Sequence, residues 1–327
     1  MFSCLLNQIL SGDDITFDQA LTLGELDDNQ LNELFLAALR VTRHFYGNRV
    51  DLCSIINAKS GRCSENCAFC AQSARHKSNV MPVEVSSLDE NEIIKNAKEL
   101  WRSGVSRFSL VTSGEFVTDA EFDRILHIFK RLHKETKIGL CASLGRLTLE
   151  RATKLKDAGI SRYHHNIETS RSYFSQICST HSYDDKINTI NIARELGLEV
   201  CCGGIISMDE TPEQRVEMAF GLKELDVDCI PINILNPIVG TRLEHQKPLS
   251  TDEIMRTIAV FRLILPDKTL RFAGGRERAL GADEYKGYSS GINAMLVGNY
   301  LTTPGKAVER EALNLRMVQL ELQPQES

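Results

Sequence analysis

"NAKSGRCSENCAFCAQS", residues 57–73, places three cysteines, Cys63, Cys67 and Cys70, at spacings of four and three. Thiolates bind soft metals, so the loop offers zinc or iron–sulfur chemistry. Structural zinc usually pairs one C-x2-C with a second, distant pair. A compact C-x3-C-x2-C instead supplies three corners of a four-iron cluster and leaves one iron open to a ligand bearing nitrogen and oxygen. Zinc completed by a distant fourth ligand remains the other reading. Immediately before this loop stands "DLCSIIN" (51–57), a short apolar run that reads as a strand.

The same kind of run recurs along the chain. It is found in "RFSLVTS" (107–113), "IGLCASL" (138–144), "YHHNIET" (163–169), "EVCCGGII" (199–206), "CIPINIL" (229–235), "LRFAGG" (270–275) and "AMLVGN" (294–299). Amphipathic helical stretches lie between them. Thr118 with Glu121, Thr211 with Gln214 and Ser250 with Glu253 stand at capping-box spacing, and Pro212 occupies a first helical position. Strands alternating with helices over about 250 residues predict an α/β fold, a (β/α)8 barrel of TIM type. An open doubly wound sheet is the alternative. The expected organisation is an N-terminal helical cap over 1–45, the barrel over 46–305 and a short polar tail over 306–327. In such a barrel the cysteine loop falls at the strands' C-terminal face, where reactive groups gather.

Composition narrows the function. The chain has 327 residues, 42% hydrophobic and 25% charged, with a formal net charge of −6. No Lys/Arg cluster of the size nucleic acid requires is present. No apolar run approaches the roughly 20 residues of a membrane span. The N-terminus lacks the basic region and cleavage site of a signal peptide and reads as a helix, so a cytoplasmic chain is expected. In that compartment thiols stay reduced, so ten cysteines are not a disulfide framework.

The cysteine loop, with Phe69 before its last cysteine, resembles that of the radical S-adenosylmethionine (SAM) enzymes. The resemblance runs through "YHHNIETS", "CGGII", "IPINIL", "RFAGGRE" and "YLTTPG" in order, and within the superfamily it is closest to the biotin synthases. It implies a [4Fe-4S] cluster held by Cys63, Cys67 and Cys70, with SAM on the open iron. One electron, from a reductant such as flavodoxin or ferredoxin, releases a 5′-deoxyadenosyl radical that takes hydrogen from dethiobiotin. An auxiliary iron–sulfur cluster supplies sulfur. A homodimer is implied as well.

Site residues carry over where the motifs match. Phe69 packs on the adenine. Ser113, Gly114 and Glu115, in "TSGE", contact the methionine end of SAM, and Lys186 its carboxylate. Asn166 bridges substrate and SAM, and Glu168 holds the ribose hydroxyls. Ile205 lines the cofactor site. Asn233 binds the ureido ring of dethiobiotin, and Thr302 and Thr303 its carboxylate end. Strand periodicity puts His164, Asn166 and Glu168 on one face. Without the family, Asn166 and Glu168 read equally as a strand-end cap and a solvated acid. Adjacent His164 and His165 face opposite ways and are not expected as a ligand pair.

One departure stands out. Biotin synthases resembled here hold a [2Fe-2S] auxiliary cluster with three cysteines and an arginine. Arg271, Cys141 and Cys201 match, but Ser109 stands where the remaining cysteine belongs. Serine is a poor soft-metal ligand. Cys53 and Cys229 stand where the family commonly has serine. Parity sets Cys229 with Asn233, Cys201 with Gly203 and Ile205, and Cys53 with Ile55, Asn57 and Lys59. The expectation is an auxiliary four-iron cluster on Cys53, Cys141, Cys201 and Cys229. Arg271 then serves as a catalytic-site ligand only if a thiolate is absent, and otherwise as a hydrogen-bond donor. The plainer reading packs Cys53 and Cys229 beside a conventional cluster. Cys202 is expected in the core and in reserve, and Cys4 and Cys178 as ordinary thiols.

Overall fold

A computed structural model describes residues 2–298 together with 308, 311, 315 and 320–322. Its strands are β1 (Arg49–Lys59), β2 (Arg107–Thr112), β3 (Gly139–Ser143), β4 (Ile160–His164), β5 (Glu199–Cys201), β6 (Gly204–Ile206), β7 (Cys229–Ile234), β8 (Thr269–Phe272), β9 (Ala294–Val297) and β10 (Glu321–Leu322). Neighbours pair in parallel around the molecule, and β1 pairs with both β2 and β9, which closes a (β/α)8 barrel. β5 and β6 are two halves of one stave.

The split has a chemical cause. Cys202 donates its N–H to the Cys229 carbonyl, but the partner strand then presents Pro231, which has no N–H to continue the ladder. The backbones close up there: a Cβ on Gly203 would sit 2.0 Å from the Pro231 carbonyl oxygen. β4 also departs from the pattern read in the sequence. It runs from Ile160 and ends at His164, so Asn166 and Glu168 follow the strand rather than share its face. Glu168 has φ +71°, a left-handed backbone that turns the chain out of the extended form and lets it bridge to Gly204.

The outer helices begin as their sequences require. Thr118, Thr211 and Ser182 each close a capping box, and Ser250 accepts from the Glu253 N–H. At the N-terminus, helix Leu31–Tyr46 lies against the outer helix Thr251–Ile264, and helix Phe17–Gly24 against Pro212–Glu224. These helices thus pack on the outer ring. Beyond the barrel, Val308 and Leu315 are buried, Glu311 accepts from the Tyr288 hydroxyl, and β10 pairs with Arg49 and Val50. Thr302 and Thr303 lie outside the described residues.

The closing strand carries the feature on which the interior depends. Asp51 of β1 and Arg271 of β8 both have Ala294 of β9 as register partner. Across it the Arg271 Nη2 contacts the Asp51 carboxylate. Nη1 donates to the Met295 carbonyl at 2.9 Å, and the Ser106 hydroxyl also donates to Asp51. Burial alone raises the Asp51 carboxyl, but the charge of Arg271 and the hydrogen bonds from Ser106 and Arg271 outweigh it and hold it below its ordinary value. A depressed native value contributes stability above the unfolded carboxyl value, near pH 4, and that contribution is lost as pH falls through the native value. Asp51→Asn is therefore expected to cost about 3 kcal/mol at neutral pH by leaving Arg271 buried without its counter-charge. In urea titrations from pH 6 to pH 3 (~ range around the carboxyl value), the variant should lose less further stability than the wild type. Parallel pH curves would contradict this role.

Candidate active site

The cysteine loop leaves β1 through Gly61 (φ +75°) and Arg62 (φ +51°). A left-handed pair reverses the chain at the barrel's C-terminal face. The loop is then fixed by its own hydrogen bonds. Cys63 N–H donates to the Gln72 carbonyl at 3.0 Å, Ala74 N–H to the Cys63 carbonyl at 2.8 Å, and Cys70 N–H to the Cys67 carbonyl at 3.0 Å. The Ser73 hydroxyl donates to the Glu65 carbonyl at 2.5 Å. Cys63, Cys67 and Cys70 all line one cavity of about 440 Å³ inside the barrel mouth.

The residues expected around SAM converge on the same cavity. Phe69, Gly114, Glu115, Asn166, Glu168, Lys186, Ile205 and Asn233 line it. Phe69 and Ile205 pack against one apolar cluster of Ala68, Ile177, Met208 and Leu235. Ser113 stands just behind, its hydroxyl on the Gly61 carbonyl at 3.1 Å. Glu115 pairs with Arg146, which also holds Asp185 at 2.9 Å. Lys186 Nζ lies 3.9 Å from the Glu168 carboxylate. Asn166 accepts from Gly203 N–H at 3.0 Å, and Asn233 accepts from Gly274 N–H at 3.0 Å while donating to the Gly204 carbonyl at 3.1 Å. Both amides are oriented by backbone, each with donor capacity left for a ligand. His164, on the cavity wall, is driven toward its neutral form by burial.

Deeper in the barrel the lining changes to thiols and guanidinium groups. Cys53, Cys141, Cys201, Arg107, Arg162 and Arg271 face the cavity. Cys201 and Cys229 are register partners on adjoining strands. Cys229 is fully buried, and Arg271 Nε approaches its sulfur at 3.5 Å. Burial pushes the Cys53 thiol up to about 12 and the Cys70 thiol up to about 11. Cys229 is raised by its hydrogen bond with Cys201 and by burial. Such thiols keep their protons until a metal displaces them. The Ser109 hydroxyl is buried against this space with no hydrogen-bond partner among the described residues. A donor set of thiols, a buried cation and an orphaned hydroxyl suits a sulfur-rich anionic cluster.

Arg271 itself is committed elsewhere: Nη1 and Nη2 are spent on Met295 and Asp51, and only Nε faces a thiol. One detail of the sequence reading is corrected here, and one thiol has an unforeseen neighbour. A bulge between Asn57 and Lys59 ends the parity of β1, and Lys59 reaches Glu121 on an outer helix at 2.7 Å. Cys178, expected as an ordinary thiol, lies 3.8 Å from the sulfur of Cys67. Cys202 sits in the core and outside the cavity lining, as parity required. Arg162, Arg107 and Glu65 escaped the sequence reading. Arg162 was two residues before His164 on the same stave and carried the only available hint.

Compared with known proteins, residues 58–220 match the Radical SAM superfamily and residues 231–321 the Biotin and Thiamin Synthesis associated domain. The chain is 52% identical to the biotin synthase of Pelotomaculum thermopropionicum over 94% of this chain and 96% of that protein. It is also 52% identical to the biotin synthase of Acetivibrio thermocellus, over 97% and 98%. Among solved structures, methylornithine synthase (PylB) superposes with TM-score 0.85 at 19% identity, over 98% of this chain and 97% of that one, a likeness of fold. Among the described residues no helix is long and apolar enough to cross a membrane. Near-full-length identity with several such enzymes, on a barrel with this cysteine loop, makes the chain a member of the biotin synthase family of radical SAM enzymes.

Proposed function

We propose that this chain converts dethiobiotin to biotin, with Cys63, Cys67 and Cys70 holding a SAM-binding [4Fe-4S] cluster and Cys53, Cys141, Cys201 and Cys229 holding an auxiliary four-iron cluster. The observation that carries the reading is the single cavity with two chemically distinct ends, a cysteine loop at the mouth and buried thiols with Arg271 below. When bound, the cluster and SAM supply the radical that takes hydrogen from the substrate, and the auxiliary cluster supplies the sulfur.

The chain's own residues position and enclose. Phe69 and Ile205 offer an apolar wall to the adenine. Glu168 accepts from the ribose hydroxyls, and Lys186 beside it meets the SAM carboxylate. Ser113, Gly114 and Glu115 border the methionine end. Asn166 and Asn233, held by backbone, present their remaining donors to SAM and to the ureido carbonyl, and Thr302 and Thr303 take the substrate's carboxylate end. Arg271 faces Cys229 with one N–H and stays fixed by Asp51, a geometry of support rather than ligation. A cytoplasmic homodimer served by a one-electron reductant of the flavodoxin or ferredoxin class completes the reading.

In an anaerobic assay with SAM, reductant and dethiobiotin, the wild type is expected to form biotin and 5′-deoxyadenosine, and Cys67→Ala neither. SAM cleavage indifferent to dethiobiotin would point to another substrate. Cys53→Ala and Cys229→Ala should each lose most auxiliary iron and biotin formation while keeping the SAM-binding cluster. Retention of full auxiliary iron and turnover in both would refute the four-thiolate assignment.

A further inference from the structure

Cys178 belongs to neither proposed cluster, yet its sulfur lies 3.8 Å from that of Cys67. It is buried, and its position is built rather than incidental. The segment after helix Arg171–Ile177 straps the cysteine loop: Ala68 N–H donates to the Ile177 carbonyl at 2.8 Å, Asn66 N–H to the Thr180 hydroxyl at 3.1 Å, and Ser179 N–H to the Asn66 side-chain oxygen at 3.0 Å. These bonds come from both sides of Cys178 and fix its sulfur over Cys67.

With the cluster bound, the acceptor of the Cys178 proton is decided by comparing the strengths of its neighbours. His181 Nδ1 is 3.4 Å away, but it faces the Glu65 carboxylate at 2.5 Å. A carboxylate that also takes the Thr180 hydroxyl at 2.6 Å accepts there, so Nδ1 carries the hydrogen and has no lone pair for a thiol. The Thr180 oxygen, 3.5 Å from the Cys178 sulfur, gives its hydrogen to Glu65 and receives the Asn66 N–H, which leaves it one lone pair as a neutral acceptor. The Asn66 oxygen, 3.3 Å from the Cys178 sulfur, takes the Ser179 N–H and has a second lone pair open to the Cys178 S–H. A metal-bound thiolate on Cys67 outcompetes a neutral amide oxygen as acceptor, because charge-assisted hydrogen bonds are the stronger ones.

We propose that Cys178 is a positioning residue that donates its S–H to the iron-bound sulfur of Cys67 and thereby raises the reduction potential of the SAM-binding cluster. The proposal rests on ligation of that cluster by the 63–70 loop. A donor on a ligand sulfur stabilises the more negative, reduced cluster. The strap with Glu65, Thr180 and His181 keeps that donor aimed.

The test is an anaerobic redox titration of the holoenzyme, following the electron paramagnetic resonance signal that changes on adding SAM. Cys178→Ala is expected to keep its cluster iron and to show a roughly tenfold lower ratio of reduced to oxidised cluster at the wild-type midpoint, about 59 mV for one electron. Cys178→Ser, which keeps a donor, should recover most of the difference. An unchanged midpoint in Cys178→Ala, or loss of cluster iron in both variants, would overturn the role. Failure of the underlying reading looks different: Cys67→Ala would then retain the SAM-sensitive signal and its iron.

Discussion

Arg271 is a permanent positive charge buried at 2% exposure inside the barrel, and the interior is arranged around it. Moving such a charge out of water costs several kcal/mol unless its partners are in place. Here they come from three neighbouring strands. Asp51 of β1 supplies the counter-charge, Met295 of β9 a carbonyl, and Cys229 of β7 a polarisable sulfur. The cation thereby ties together the strands that close the barrel. Together with Arg107 and Arg162, which line the same end of the cavity, it surrounds the thiols with guanidinium groups, an environment that suits an anionic cluster.

The cavity then divides by depth. Near the mouth stand an apolar wall at Phe69 and Ile205, a carboxylate at Glu168, a cation at Lys186 and two backbone-held amides, chemistry complementary to a nucleoside and an amino acid. Below them lie Cys53, Cys141 and Cys201, with Cys229 buried beside Cys201 as its register partner. A substrate held between the two ends would have its hydrogens facing one and its sulfur source the other. The parallel barrel makes this possible, because every stave contributes inward side chains at several depths.

Much of this was legible in the sequence, for reasons that differ by element. The cysteine loop and the strand before it could be read because spacing alone specifies a soft-metal site and because β1 is a clean apolar run. The exchange of Ser109 for Cys53 and Cys229 was visible only through the family resemblance; strand parity then set these thiols inward, and Cys53 lines the cavity while Cys229 pairs in register with the cavity-lining Cys201. Parity failed where the backbone leaves the regular pleat. β4 ends at His164, Glu168 turns left-handed, and a bulge redirects Lys59. Asn166 and Glu168 still reach the site, brought there by the close approach of Gly203 and Gly204 rather than by alternation. Cys178 was missed because it lies on no strand. Only the tertiary strap between residues 177–180 and the loop sets it beside Cys67, and no local periodicity encodes that.

The central claim is that this barrel carries four auxiliary thiolates in place of three and an arginine. Iron and sulfide counting with Mössbauer spectroscopy on the anaerobically reconstituted wild-type chain tests it directly. The account predicts about eight irons per chain, all in four-iron clusters. About six, with a third of the signal from a two-iron cluster, would contradict it.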